Sequence, residues 1–179
     1  LADETPHRML EGDAKRAWSL WGFNNETACF FECHDTRSGD VASSVLMMSQ
    51  CRVLLTDVFS GYRKAIRETN EAWEKAGKPD RIKAAYCNGH ARRQFDPKAP
   101  HKPREAEYML DRYDEIYRLN SLSKGQQDEE VLRLRALMVP IFTDMKTYSE
   151  KMIEAFSSKS SLGGAFGYFL NNFDGLTLF

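Results

Sequence analysis

The 179 residues include 42% hydrophobic and 28% charged side chains and carry a formal net charge of -1. That size suits one domain with a real core, or a compact domain with a sizeable insertion, and argues against two full domains. The composition excludes a disordered chain, and the near-zero charge excludes a small, globally basic nucleic-acid-binding module, so any nucleic-acid contact must come from a local patch.

The first strand candidate is "LADET". "AKRAWSLWGF" (14–23) follows with Trp18 and Leu20 on one face, and "NNET" turns the chain into "ACFFECHD" (28–35), giving a three-strand antiparallel opening. Asp40 is placed to cap a short helix over "VASSVLMMSQ", and "CRVLLTD" reads as an apolar strand buried on both faces. Ser60 is the expected N-cap of a helix from about Gly61 to Ala76, whose apolar stripe is Tyr62, Ala65, Ile66 and Trp73. "RIKAAYCNGH" is a further strand candidate, and "HARRQFD" starts another helix that ends near "PKAPHKP".

Beyond that basic, proline-rich connector the period becomes purely helical. Residues 104–120 place Tyr108, Met109, Ile116, Tyr117 and Leu119 on a stripe; Leu134, Leu137, Met138, Ile141, Met145, Tyr148, Met152 and Phe156 continue it, and Pro140 is expected to kink or restart the helix. Phe166, Phe169, Leu170 and Phe173 form the last apolar stripe. The element order predicts an α/β layer fold, residues 1–98, with an all-helical insertion over 99–179. Cys29, Cys33, Cys51 and Cys87 read as reduced, buried thiols of a cytoplasmic protein, and no apolar run approaches the ~20 residues of a membrane span. Leu1 already looks like strand interior, so the chain reads as a piece of a longer protein.

Asp57 stands where the apolar strand "RVLLT" stops, and functional groups of open α/β sheets gather at such strand ends. Asp3 lies in the first strand, and alternation turns its neighbour Glu4 to the opposite face. Were the two strands neighbours, Asp3 and Asp57 would lie side by side. Paired carboxylates repel one another and suit a divalent cation; two such ions roughly 3.5–4 Å apart clamp the attacking and leaving oxygens of a phosphodiester displacement. Residue types alone leave open the plainer alternative of a solvated strand end and a surface acid.

"ADET" (2–5), "LLTDVFSGY" (54–62) and "CNGHARRQF" (87–95), in that order, together with "YFLNNFDGLTLF" (168–179), resemble the successive signatures of the insertion-sequence-66 family of bacterial DDE transposases. The resemblance implies a ribonuclease H-like mixed sheet with flanking helices. It makes Asp3 and Asp57 the first two catalytic, metal-holding acids and Mg²⁺ or Mn²⁺ the cofactor, two ions in the complete enzyme. It further implies cleavage and strand transfer at transposon-end and target DNA, by a bacterial protein oligomerised on DNA and nucleoid-associated when bound.

The family's third acid is a glutamate that follows the helical insertion, after a pair of asparagines. Here Asn171 and Asn172 precede Phe173 and Asp174, so this stretch is expected to be catalytically incomplete. Glu150 and Glu154 sit within the insertion and do not substitute. A transposase-derived DNA-binding or regulatory remnant is the alternative.

The basic stretch from Arg81 to Arg104 is strongest at "HARRQF". By resemblance His90 lies near the active centre, while Arg92, Arg93 and Lys98 of this stretch contact DNA phosphate, which basic side chains do without reading sequence. Cys87 and His90 have a zinc-like C-x-x-H spacing but lack a recognisable second pair.

Overall fold

A computed structural model describes residues 1–8, 18–96 and 103–178. The chain divides into two compact units, Leu1–Tyr86 and Cys87–Phe179.

The first unit opens with β1 (Ala2–His7), β2 (Trp18–Asn24) and β3 (Cys29–His34), an antiparallel sheet in which Asp3 pairs with Gly22 and Gly22 with Phe31. Residues 14–17 of the expected second strand lie outside the described residues. Alternation decides the faces: Ala2, Ser19, Trp21 and Phe23 are buried, whereas Asp3, Thr5 and Phe31 are exposed. The buried face meets α1 (Gly39–Met47) and α2 (Ser60–Lys75). Val41, Ala42, Leu46, Tyr62, Ala65, Ile66 and Trp73 from those helices join Trp21 and Phe23 in one core. Trp21 is fully excluded from solvent, and full burial of a large apolar side chain contributes about 1.5–3 kcal/mol.

A second, parallel pair consists of β4 (Val53–Thr56) and β5 (Lys83–Tyr86), with Leu54 opposite Ala84. β4 adjoins β1 without joining its hydrogen-bonded ladder. Val53 is exposed and Leu54 buried, so this strand alternates and is not buried on both faces as its run of apolar residues suggested.

The caps differ from the sequence reading. The α1 cap is Ser38, whose hydroxyl accepts from the Asp40 amide, and Asp40 lies in the first turn. The N-cap position of α2 is Phe59, which makes no side-chain cap bond, and Ser60 is already helical. Gly61 has no left-handed φ; its role is space, because a Cβ there would stand 2.3 Å from the Phe59 ring, while a Cβ at Gly39 would stand 2.4 Å from the Gly61 carbonyl oxygen.

The second unit comprises α3 (Asn88–Gln94), α4 (Arg104–Ser123), α5 (Asp128–Ala155), α6 (Ser161–Asn171) and α7 (Phe173–Leu176). The helix α3 packs on α6 and α4. Gly125, at φ +74°, turns α4 into α5, and the stacking of Tyr108 on Tyr148 sets the two helices antiparallel. Pro140 lies inside one continuous α5 instead of breaking it. It and Ala136 are both exposed, so water can hydrate the carbonyl that Pro140 leaves without a donor. Met109, Ile116, Leu119, Leu134, Met138, Met145, Phe166 and Phe169 are buried as their stripes require, whereas Leu137 is exposed; Tyr113 and Phe142, outside the expected stripes, are buried as well.

Candidate functional site

In the first unit Asp3 and Glu4 lie on β1 and Asp57 just past β4, and all three carboxylates act on the Tyr62 hydroxyl in the first turn of α2. Asp3 is exposed on the outward face of β1, and its Oδ1 accepts from the Glu4 amide at 3.1 Å. Asp57 directly follows β4 and is half-buried; its Oδ1 accepts the Phe59 amide at 2.9 Å. The Asx-turn so formed carries the chain from strand into helix. Both carboxylates therefore hold one oxygen on a backbone amide. Two such groups are hard oxygen donors that suit Mg²⁺ or Mn²⁺, ions that take one or two carboxylates and complete their shell with water or phosphate. Among the described residues no group of three or more His, Cys, Asp or Glu is placed to hold a metal ion.

Glu4 points the other way, as strand parity requires, and its side chain is only 1% exposed. The Arg37 guanidinium, in the β3–α1 connection, covers it and donates to its Oε1 through Nε at 2.8 Å and through Nη2. Glu4 Oε2 and the Tyr62 hydroxyl are both buried and miss strict hydrogen-bond geometry, yet the hydroxyl lies close enough to the Glu4 carboxylate to interact with it. Burial above all, then the Glu4 carboxylate and the charges of Asp3 and Asp57, push the Tyr62 hydroxyl far above the usual tyrosine range, so it stays protonated. All three acids thus act on one tyrosine.

Arg37 also lies 4.2 Å from the centre of the Phe59 ring, which meets Tyr62 edge-on at 6.0 Å. The sequence reading found Asp3 and Asp57 but missed Arg37. Its signal was faint: a glutamate of inward parity beside Asp3 implies a buried partner, without saying which of the 25 lysines and arginines supplies it.

In the second unit His90, Arg92 and Arg93 lie on α3. His90 Nδ1 is buried without a partner, Arg92 pairs with Asp114 at 3.1 Å, and the exposed Arg93 donates from Nε to the Gly89 carbonyl. Lys98 lies outside the described residues. Glu150 and Glu154 are exposed on α5. The cysteines are free but not buried as expected: Cys29 and Cys33 are exposed, Cys51 and Cys87 half-buried. Both exposed thiols sit on the outward parity of the edge strand β3.

The family model described as Transposase IS66 family matches residues 1–179. No curated protein and no solved structure matches the chain.

Proposed function

Because the chain belongs to the IS66 family of transposases, whose members act in DNA transposition, we propose that Asp3 and Asp57 are two acids of a DDE catalytic centre. The observation that supports this reading is the adjacency of β1, which carries Asp3, and β4, which Asp57 directly follows. The strand order β3-β2-β1, with β4 adjoining β1 and β5 paired to β4, supports a ribonuclease H-like sheet.

Bound Mg²⁺ or Mn²⁺ at such a centre would polarise a phosphodiester and activate water or a 3′-hydroxyl. The chain's own part is to aim the carboxylates. The Phe59 amide fixes the Asp57 head, and the Glu4 amide does the same for Asp3. His90, Arg92, Arg93 and Lys98 serve DNA in the same reading, and the Arg92–Asp114 pair leaves Arg93 the freer cation for phosphate.

Isothermal titration with Mn²⁺ tests the proposal. Binding that is lost in both Asp3→Asn and Asp57→Asn supports it, and binding untouched by either substitution defeats it.

A second reading, a DNA-binding remnant that does not cut, draws on the cations Arg92 and Arg93 of α3. It predicts salt-dependent DNA binding that weakens in Arg92→Ala and Arg93→Ala, the salt slope falling by about 1 for each phosphate that the variant no longer neutralises. It also predicts no strand cleavage when a chain extended through the third acid is supplied with Mn²⁺. No described helix is long and apolar enough to cross a membrane.

A further inference from the structure

We propose that Arg37 is a positioning residue that locks the two aspartates to one another through Glu4 on one side and Phe59 on the other. The inference deepens the proposed catalytic centre and rests on it for its consequence, though not for its geometry.

A continuous path of interactions runs between the two acids. Asp3 is bonded to the next residue, Glu4, whose amide it accepts. The Glu4 carboxylate is nearly sealed from solvent and held on Oε1 by two nitrogens of Arg37. The same guanidinium lies over the Phe59 ring at 4.2 Å, and the Phe59 amide donates to Asp57 Oδ1. Glu4 enters from β1, Arg37 from the β3–α1 connection and Phe59 from the start of α2. These segments are separate in sequence and are joined here at one cation.

Arginine suits the place because its planar fork takes a carboxylate on its edge while its face covers an aromatic ring; a lysine ammonium does not do both. Among the described residues Arg37 is the one ionic partner of Glu4, whose side chain is only 1% exposed. Removing Arg37 therefore releases the strand residue next to Asp3 and the ring next to the Asp57 turn together. The contacts of Arg37 that bear on the two acids run through these two neighbours.

The test has two readouts on the folded chain: Mn²⁺ affinity by calorimetry, and the amide resonance of Phe59 in the metal-free protein, which reports its bond to Asp57. Arg37→Met is expected to weaken Mn²⁺ binding about tenfold or more, the effect typical of residues that orient metal ligands, and to move the Phe59 resonance. Should that variant fail to fold, the double substitution Glu4→Gln with Arg37→Met removes both charges and leaves none buried alone, and it must give the same two changes. In a protein that binds Mn²⁺ through Asp3 and Asp57, either readout left at its wild-type value overturns the clamp. A wild type without aspartate-dependent Mn²⁺ binding defeats the catalytic reading instead, and the clamp then stands or falls on whether the Phe59 resonance moves.

Discussion

The backbone amide of Phe59 donates to Oδ1 of Asp57 at 2.9 Å, so the residue that ends β4 also shapes the entry to α2. Asparagine retains a side-chain oxygen able to accept that bond, and alanine does not. Asp57→Asn is therefore expected to unfold in urea within about 0.5 kcal/mol of the wild type, and Asp57→Ala to lose about 1 kcal/mol. Equal stability of the two variants would show that the turn bond contributes nothing.

Gly39 and Gly61 meet where α1 crosses α2. A methyl group at Gly39 would sit 2.4 Å from the Gly61 carbonyl oxygen, a backbone atom that cannot rotate away. Gly39→Ala should destabilise the first unit by about 2 kcal/mol through overpacking, read as a lower urea midpoint with unchanged slope. A variant as stable as the wild type would mean that the helices separate without cost.

Asn70 on α2 replaces a missing strand partner. Its Nδ2 donates to the Ile82 carbonyl at 3.0 Å, and its Oδ1 accepts the Ile82 amide at 2.8 Å, just ahead of β5. Asn70→Ala leaves both groups of a buried residue unpaired and should cost about 2 kcal/mol. Asn70→Asp keeps only the acceptor and should fall between. Thermal melts of the three proteins give the order.

Tyr62 makes the first unit sensitive to alkali. The folded state holds the hydroxyl protonated far above its ordinary value of 10.0, whereas the unfolded chain releases the proton near that value. A raised folded value means that its stabilising contribution is complete below pH 10 and is lost progressively as pH rises beyond it. The melting temperature of the wild type should thus fall more steeply above pH 10 than that of Tyr62→Phe. Parallel slopes would remove Tyr62 from the account.

The sequence made the three-strand opening and the helical second half legible because both rest on local periodicity. Residues 18–24 alternate as a strand does, although the sequence reading singled out the face of Trp18 and Leu20 and the structure buries the other, with Trp21 and Phe23. Met109, Ile116 and Leu119 recur at helical spacing. Asp57 was legible because a charge ends an apolar run. What escaped depends on distant parts of the chain. Ser60 has the chemistry of a cap, but the geometry passes that position to Phe59, whose ring covers Arg37. Nothing in the sequence around Gly39 shows that the Gly61 carbonyl lies against it. Glu4 and Arg37 stand 33 residues apart, and only the packing of β1 under the β3–α1 connection joins them. Cys29 and Cys33 looked buried by residue type, but the parity of an edge strand turns them outward.

The pairing of Asp3 with Asp57 at one metal is the claim on which the functional account rests. Fe²⁺ bound in place of Mg²⁺, with ascorbate and peroxide, generates hydroxyl radicals that cut the backbone close to the ion. The account predicts cuts at two places, around Asp3 in β1 and around Asp57 after β4, both abolished by Asp57→Asn and by excess Mg²⁺. Cuts at only one of these segments, or a pattern unchanged by Asp57→Asn, would contradict it.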